Sequence, residues 1–169
     1  MKASKLNFDG QRFSPEEWPE GALSQMDSRV IGAMFDIRNN LPTNCPMFPS
    51  PIYEAHVRND DTGSRHSIDH GARLSDATDF FIRKRDFHKV YLEVVKHSRI
   101  GGAGFYNNAL FRGSWEDYFM VHIDARPMFQ KMLWAADREK GKAGAFTYYS
   151  IAANPHEYFK TLNKMGDQL

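Results

Sequence analysis

Val121-His122-Ile123-Asp124 closes the clearest strand of the chain, Tyr118 to Ile123, and its reading decides the fold and the candidate chemistry together. Residues two apart on a strand project from the same face, so His122 and Asp124 stand side by side. Two upstream segments, Ser64-Arg65-His66 and Ala77-Thr78-Asp79, can bring an imidazole and a carboxylate to the same place. Two imidazoles and one carboxylate hold zinc while leaving one coordination position open for water. A second carboxylate beside that water serves metal-assisted hydrolysis as a general base. The same residues also fit plainer roles. His66 and His70 sit in a stretch with Asp69, Asp76 and Asp79 that reads as a solvated polar loop, and His122 with Asp124 reads as a polar pair on the wet face of a sheet.

The surrounding sequence predicts an α+β domain spanning residues 1–169, with a small antiparallel sheet and flanking helices. Ser14-Pro15-Glu16-Glu17 reads as a short capped turn, with Ser at the N-cap and Pro at the first helical position. Met26 to Leu41 is the first long helix, capped by Asp27 or Ser28, with Val30, Ile31, Met34, Phe35, Ile37 and Leu41 as its apolar stripe. Ile52 to Val57 and Thr78 to Ile82 read as strands, and Asp86 to His97 as a second helix. The glycines of Ile100 to Gly104 predict a turn leading into Phe105-Tyr106. Beyond Pro127, the spacing of Phe129, Met132, Leu133 and Ala136 predicts a helix, Phe146 to Ile151 a strand, and Asn154-Pro155 a final helix. Residues 1–12 read as a polar N-terminal arm and 127–169 as an extension packing on the domain.

Charge and cysteine usage exclude several classes. The net charge of +1 gives no global field for nucleic acid. Cys45 is the only cysteine, so an internal disulfide and a cysteine-based zinc site are both excluded, and any metal must sit on His and carboxylate. Met1 to Gln11 is polar and lacks the apolar segment of a Sec signal peptide, and no apolar run approaches the length of a membrane span. The expectation is cytoplasmic synthesis without membrane insertion. Of the remaining histidines, His56, His88 and His156 lack a ligand-spaced partner, and His97 offsets a helix dipole.

Gly63-Ser64-Arg65-His66, Ala77-Thr78-Asp79 and Val121-His122-Ile123-Asp124, in this order, resemble the signature of the zinc D-alanyl-D-alanine carboxypeptidase family, which has the hedgehog-type zinc peptidase fold. The likeness runs from about Phe13 to Arg126. It implies Zn²⁺ on His66, Asp79 and His122, with Asp124 as general base or ligand-orienting residue. It also implies Ser64 bracing the site or touching substrate, and Arg58 gripping a carboxylate, which a guanidinium meets bidentately. Tyr106, Trp115 or Arg126 would line the cleft, although core packing is the favoured role of the two aromatics. The implied substrate is a peptidoglycan stem peptide, cut by a carboxypeptidase or endopeptidase. A phage endolysin-like role acts on the wall after release from the cytoplasm. Twelve residues separate His66 from Asp79, more than in the family. An insertion over Ile68 to Arg73 accounts for this and offers His70 as a competing ligand. The family's acidic residue three positions before the last His is replaced by Phe119. The competing expectation is a non-catalytic virion or wall-binding module that keeps the fold. Oligomeric state is not legible.

Overall fold

The computed structural model describes residues 1–59, 64–68, 74–114, 117–127, 130–139 and 145–166. Gly63, Asp69, His70, Trp115 and Phe129, all invoked above, lie outside them. The described residues form an α+β fold around a six-stranded sheet in the order β1-β2-β4-β3-β5-β6. The strands are β1 Met47–Pro49, β2 Ala77–Arg83, β3 Gly102–Tyr106, β4 Tyr118–Asp124, β5 Met132–Asp137 and β6 Thr147–Ser150. The helices are α1 Ala22–Gln25, α2 Ser28–Asn40, α3 Phe87–Lys96 and α4 Pro155–Gly166.

The sheet type and several element readings change. The sheet is mixed rather than antiparallel, because β5 runs parallel to β3 while every other neighbour pair is antiparallel. β3 and β4 form an antiparallel pair, and the chain then crosses the end of β3, where Met132 N–H donates to Gly101 O, before adding β5 to β3's other edge. The predicted helix beyond Pro127 is therefore β5. Its apolar residues fit a helical spacing because they lie on both faces of the strand, Leu133 and Ala135 toward the core and Met132 and Trp134 toward a cleft, which removes the polar alternation that marks a strand. The predicted strand Ile52–Val57 is instead a single 3₁₀ turn, Tyr53–Ala55, and the edge strand lies earlier, at β1. Pro49 is tolerated there because an edge strand need not donate every N–H.

Alternation along the strands divides the molecule. Phe80, Ile82, Phe119, Val121, Ile123, Ala103, Phe105 and Ala135 face the helices and merge into one core with Ile31, Met34 and Ile37 of α2, Val90 and Val94 of α3, and Tyr158, Leu162 and Met165 of α4. Asp27 caps α2 by accepting from Arg29 N–H at 2.8 Å, whereas Asp86 stands at the start of α3 without a capping bond. The N-terminal arm is docked: Ala3 is buried and donates to Met26 O at 2.8 Å, and Leu6 and Phe8 pack on the core. The opposite sheet face carries a smaller cluster of Phe81, Ala109 and Phe111 beside the polar residues described next. No described helix is long and apolar enough to cross a membrane.

Candidate metal centre

The register of β2, β4 and β3 aligns Asp79 with His122 and His122 with Gly104 on the sheet face away from the helices. His66 reaches the same point from a loop fastened through its backbone. Arg58 N–H donates to His66 O at 2.8 Å, Ile68 N–H donates to Arg58 O at 2.9 Å, and Ser64 Oγ accepts from His66 N–H at 3.3 Å. Arg65 closes the loop with an ion pair to Asp76, next to the start of β2.

His66, Asp79 and His122 are all buried, and one ligand atom of each lies within 4.8 Å of the others. His66 Nε2 is 3.0 Å from His122 Nδ1, His122 Nδ1 is 2.8 Å from Asp79 Oδ1, and His66 Nε2 is 3.5 Å from that oxygen. Ligands about 2.0–2.1 Å from a tetrahedral ion stand roughly 3.3 Å apart, so the three atoms fit a metal with little movement. Two nitrogens and one oxygen are donors zinc accepts. The group can bind a metal ion, and the donor chemistry leaves the ion's identity open.

The second ring nitrogen of His122 has its own partner. Nε2 lies 3.3 Å from Asp124 Oδ2, which fixes the imidazole between two carboxylates. Asp124 is fully buried and gripped by Arg126, whose Nε donates to Oδ1 at 2.6 Å and Nη2 to Oδ2 at 2.5 Å. Burial alone would raise the pKa of Asp79 and of Asp124. Hydrogen bonds from His122, joined by His66 on Asp79 and by Arg126 on Asp124, outweigh it and hold both carboxyls well below the usual range. Burial likewise opposes a charge on His122, but Asp124 and Asp79 prevail and push its pKa up to about 9.

The triad lies in an open cleft of about 730 Å³. Arg58, Ser64, Tyr106 and Arg126 line it. Arg58 Nε is held by Glu54 O at 3.1 Å. The opposite wall is Trp134, Phe146 and Tyr148, supplied by β5 and the segment around β6. Trp134 is absent from the sequence-derived site because the spacing around it predicts a helix and not β5. A signal was present in Gly104, whose missing side chain leaves room for the indole: a Cβ there would overlap it. Gly102 plays the same part beneath Asp124 and Arg126, so these glycines belong to β3 and not to a turn.

The other described histidines have structural partners or lie at the surface. His56 is fully buried between Thr78 Oγ1 and Ser50 O, each at 2.7 Å. The carbonyl can only accept, so Nε2 carries the proton and Nδ1 accepts from Thr78. His97 pairs with Asp36 at 3.3 Å, and His88 and His156 are exposed. Phe119 is buried on the helix-covered face, away from the triad. No protein-family model, curated protein or solved structure matches this chain.

Proposed function

We propose that this protein is a zinc-dependent peptidase that cuts a bond in peptidoglycan stem peptides, as a carboxypeptidase or endopeptidase, in phage or prophage wall lysis. The observation that carries the reading is the convergence of His66, Asp79 and His122 in an open cleft of about 730 Å³. Bound there, zinc supplies an acidified water and a polarised scissile carbonyl. The chain's own residues divide the remaining work. His66, Asp79 and His122 hold the ion. Asp124 orients His122 through Nε2, the arrangement by which metal-ligating histidines are usually fixed. Both its oxygens are engaged by Arg126, which favours orienting over service as a general base. Ser64 braces His66, and the Arg58 guanidinium at the cleft wall suits the carboxylate of a stem peptide.

The test is digestion of purified cell wall by zinc-loaded protein, with mass spectrometry of the released fragments. The reading expects defined peptide products from wild type and none from His122→Ala. Phe119, buried where relatives of the resembled family carry an acid, favours the second reading, a metal-retaining virion or wall-binding module. Zinc-loaded protein that sediments with wall yet releases no fragment would establish that module instead.

A further inference from the structure

Tyr106 extends from β3 into the cleft, two residues beyond Gly104, which pairs with His122. It is only 8% exposed, and its ring is packed edge-on by Phe146 at 5.1 Å and Tyr148 at 6.0 Å. Its hydroxyl accepts the indole N–H of Trp134 at 3.1 Å. Trp134 is itself set by the metal centre, its ring 5.2 Å from that of His122, in the space Gly104 leaves. A phenol has one proton and two acceptor lone pairs, and an indole N–H can only donate. With Trp134 donating, the Tyr106 proton is left to be given. Tyr148 stands beside the Tyr106 ring and is 56% exposed, so it can yield its place to a bound molecule that accepts this hydrogen bond. Burial, the nearby charge of Asp79 and Tyr148 keep the phenol protonated well beyond the ordinary tyrosine range. Arg126 is less suited, since its Nε and Nη2 are committed to Asp124.

We propose that Tyr106 is a catalytic residue that donates a hydrogen bond to the oxygen on which negative charge develops when a carbonyl is attacked at this centre, with Trp134 as its positioning residue. The inference rests on the peptidase reading and deepens it. A neutral donor fixed before reaction stabilises a forming oxyanion without reorganising. Tyr106 keeps its proton throughout, so no covalent or proton-transfer step is assigned to it.

The test uses zinc-loaded wild type, Tyr106→Phe and Trp134→Phe, with three readouts: zinc content, binding of inorganic phosphate by calorimetry as a tetrahedral anionic probe, and kcat and KM on a stem peptide. Tyr106→Phe removes one oxygen and leaves the ring packing in place. It is expected to keep its zinc, bind phosphate about tenfold more weakly, and lose about 100-fold in kcat with little change in KM. Trp134→Phe should shift the same quantities in the same direction by less. Unchanged phosphate affinity and kcat in a zinc-replete Tyr106→Phe protein would overturn the donor role and leave the peptidase reading intact. Wild type that holds zinc and cuts no peptide would overturn the peptidase reading, and the phosphate comparison would still decide the donor. Wild type without zinc would overturn both.

Discussion

Proton and metal compete for one atom, His122 Nδ1, and the competition has a calculable size. In the metal-free protein the imidazole lies between Asp79, 2.8 Å from Nδ1, and Asp124, 3.3 Å from Nε2. Burial works against the cation, but the two carboxylates prevail and raise the pKa from 6.5 to about 9. Zinc needs the Nδ1 lone pair, so near neutral pH it must expel a proton held about two pH units above ambient. Each unit is worth tenfold, so zinc affinity should rise about 100-fold between about pH 7 and 9 and level off above that. An imidazole without its carboxylates would level off near 6.5. The assay is competition with a chromophoric chelator, corrected for the chelator's own protonation. Calorimetry in two buffers of different ionisation enthalpy then counts the protons released, about one per zinc from His122 at neutral pH. Equal affinity at the two ends of that range, with no proton released, would refute the clamped-cation account of His122.

Three further outcomes follow from individual contacts. Asp124→Asn removes the anionic partner of His122 Nε2 and the Arg126 pair, so zinc affinity measured above about pH 9 should fall about 10- to 100-fold; the rise with pH should also flatten, since one of the two carboxylates is gone. Gly104→Ala forces a Cβ into the Trp134 indole and should destabilise the fold by about 1–3 kcal/mol in urea unfolding, whereas Gly166→Ala, with nothing within 4 Å of the added carbon, should show no such steric loss. Burial lowers the pKa of His56 below 6.5, so the unfolded chain binds its proton first and stability falls as pH drops below that value. The raised pKa of His122 has the opposite sign: its contribution is full below 6.5 and is lost as pH climbs toward 9. Metal-free protein should therefore be most stable near pH 6.5 in urea titrations. His56→Gln should flatten the acid limb while costing about 1–3 kcal/mol at neutral pH from lost buried hydrogen bonds.

The triad was legible because each of its residues belongs to a short local pattern. Strand alternation alone places His122 and Asp124 on one face, and β2 and β4 carry the alignment with Asp79 over from the sequence to the sheet. His66 depended on a loop whose length is not encoded in any periodicity, and its position follows from backbone bonds to Arg58 and Ile68 that no motif announces. β5 was hidden because Leu133 and Ala135 pack toward the helices while Met132 and Trp134 face the cleft, so no polar residue marks a strand's outer side. With β5 unread, the aromatic wall and the Trp134–Tyr106 hydrogen bond were unread too. The glycines of β3 misled in the same way: their small size signals close approach of Asp124 and Trp134 as readily as it signals a turn.

The proposed chemistry requires a metal held by His66, Asp79 and His122. Elemental analysis of reconstituted wild type, His66→Ala, Asp79→Ala and His122→Ala, with folding checked by circular dichroism, measures that directly. The account predicts one zinc per wild-type chain and none in any of the three folded variants. A folded wild type that takes up no zinc, or zinc that survives loss of both His66 and His122, would contradict it.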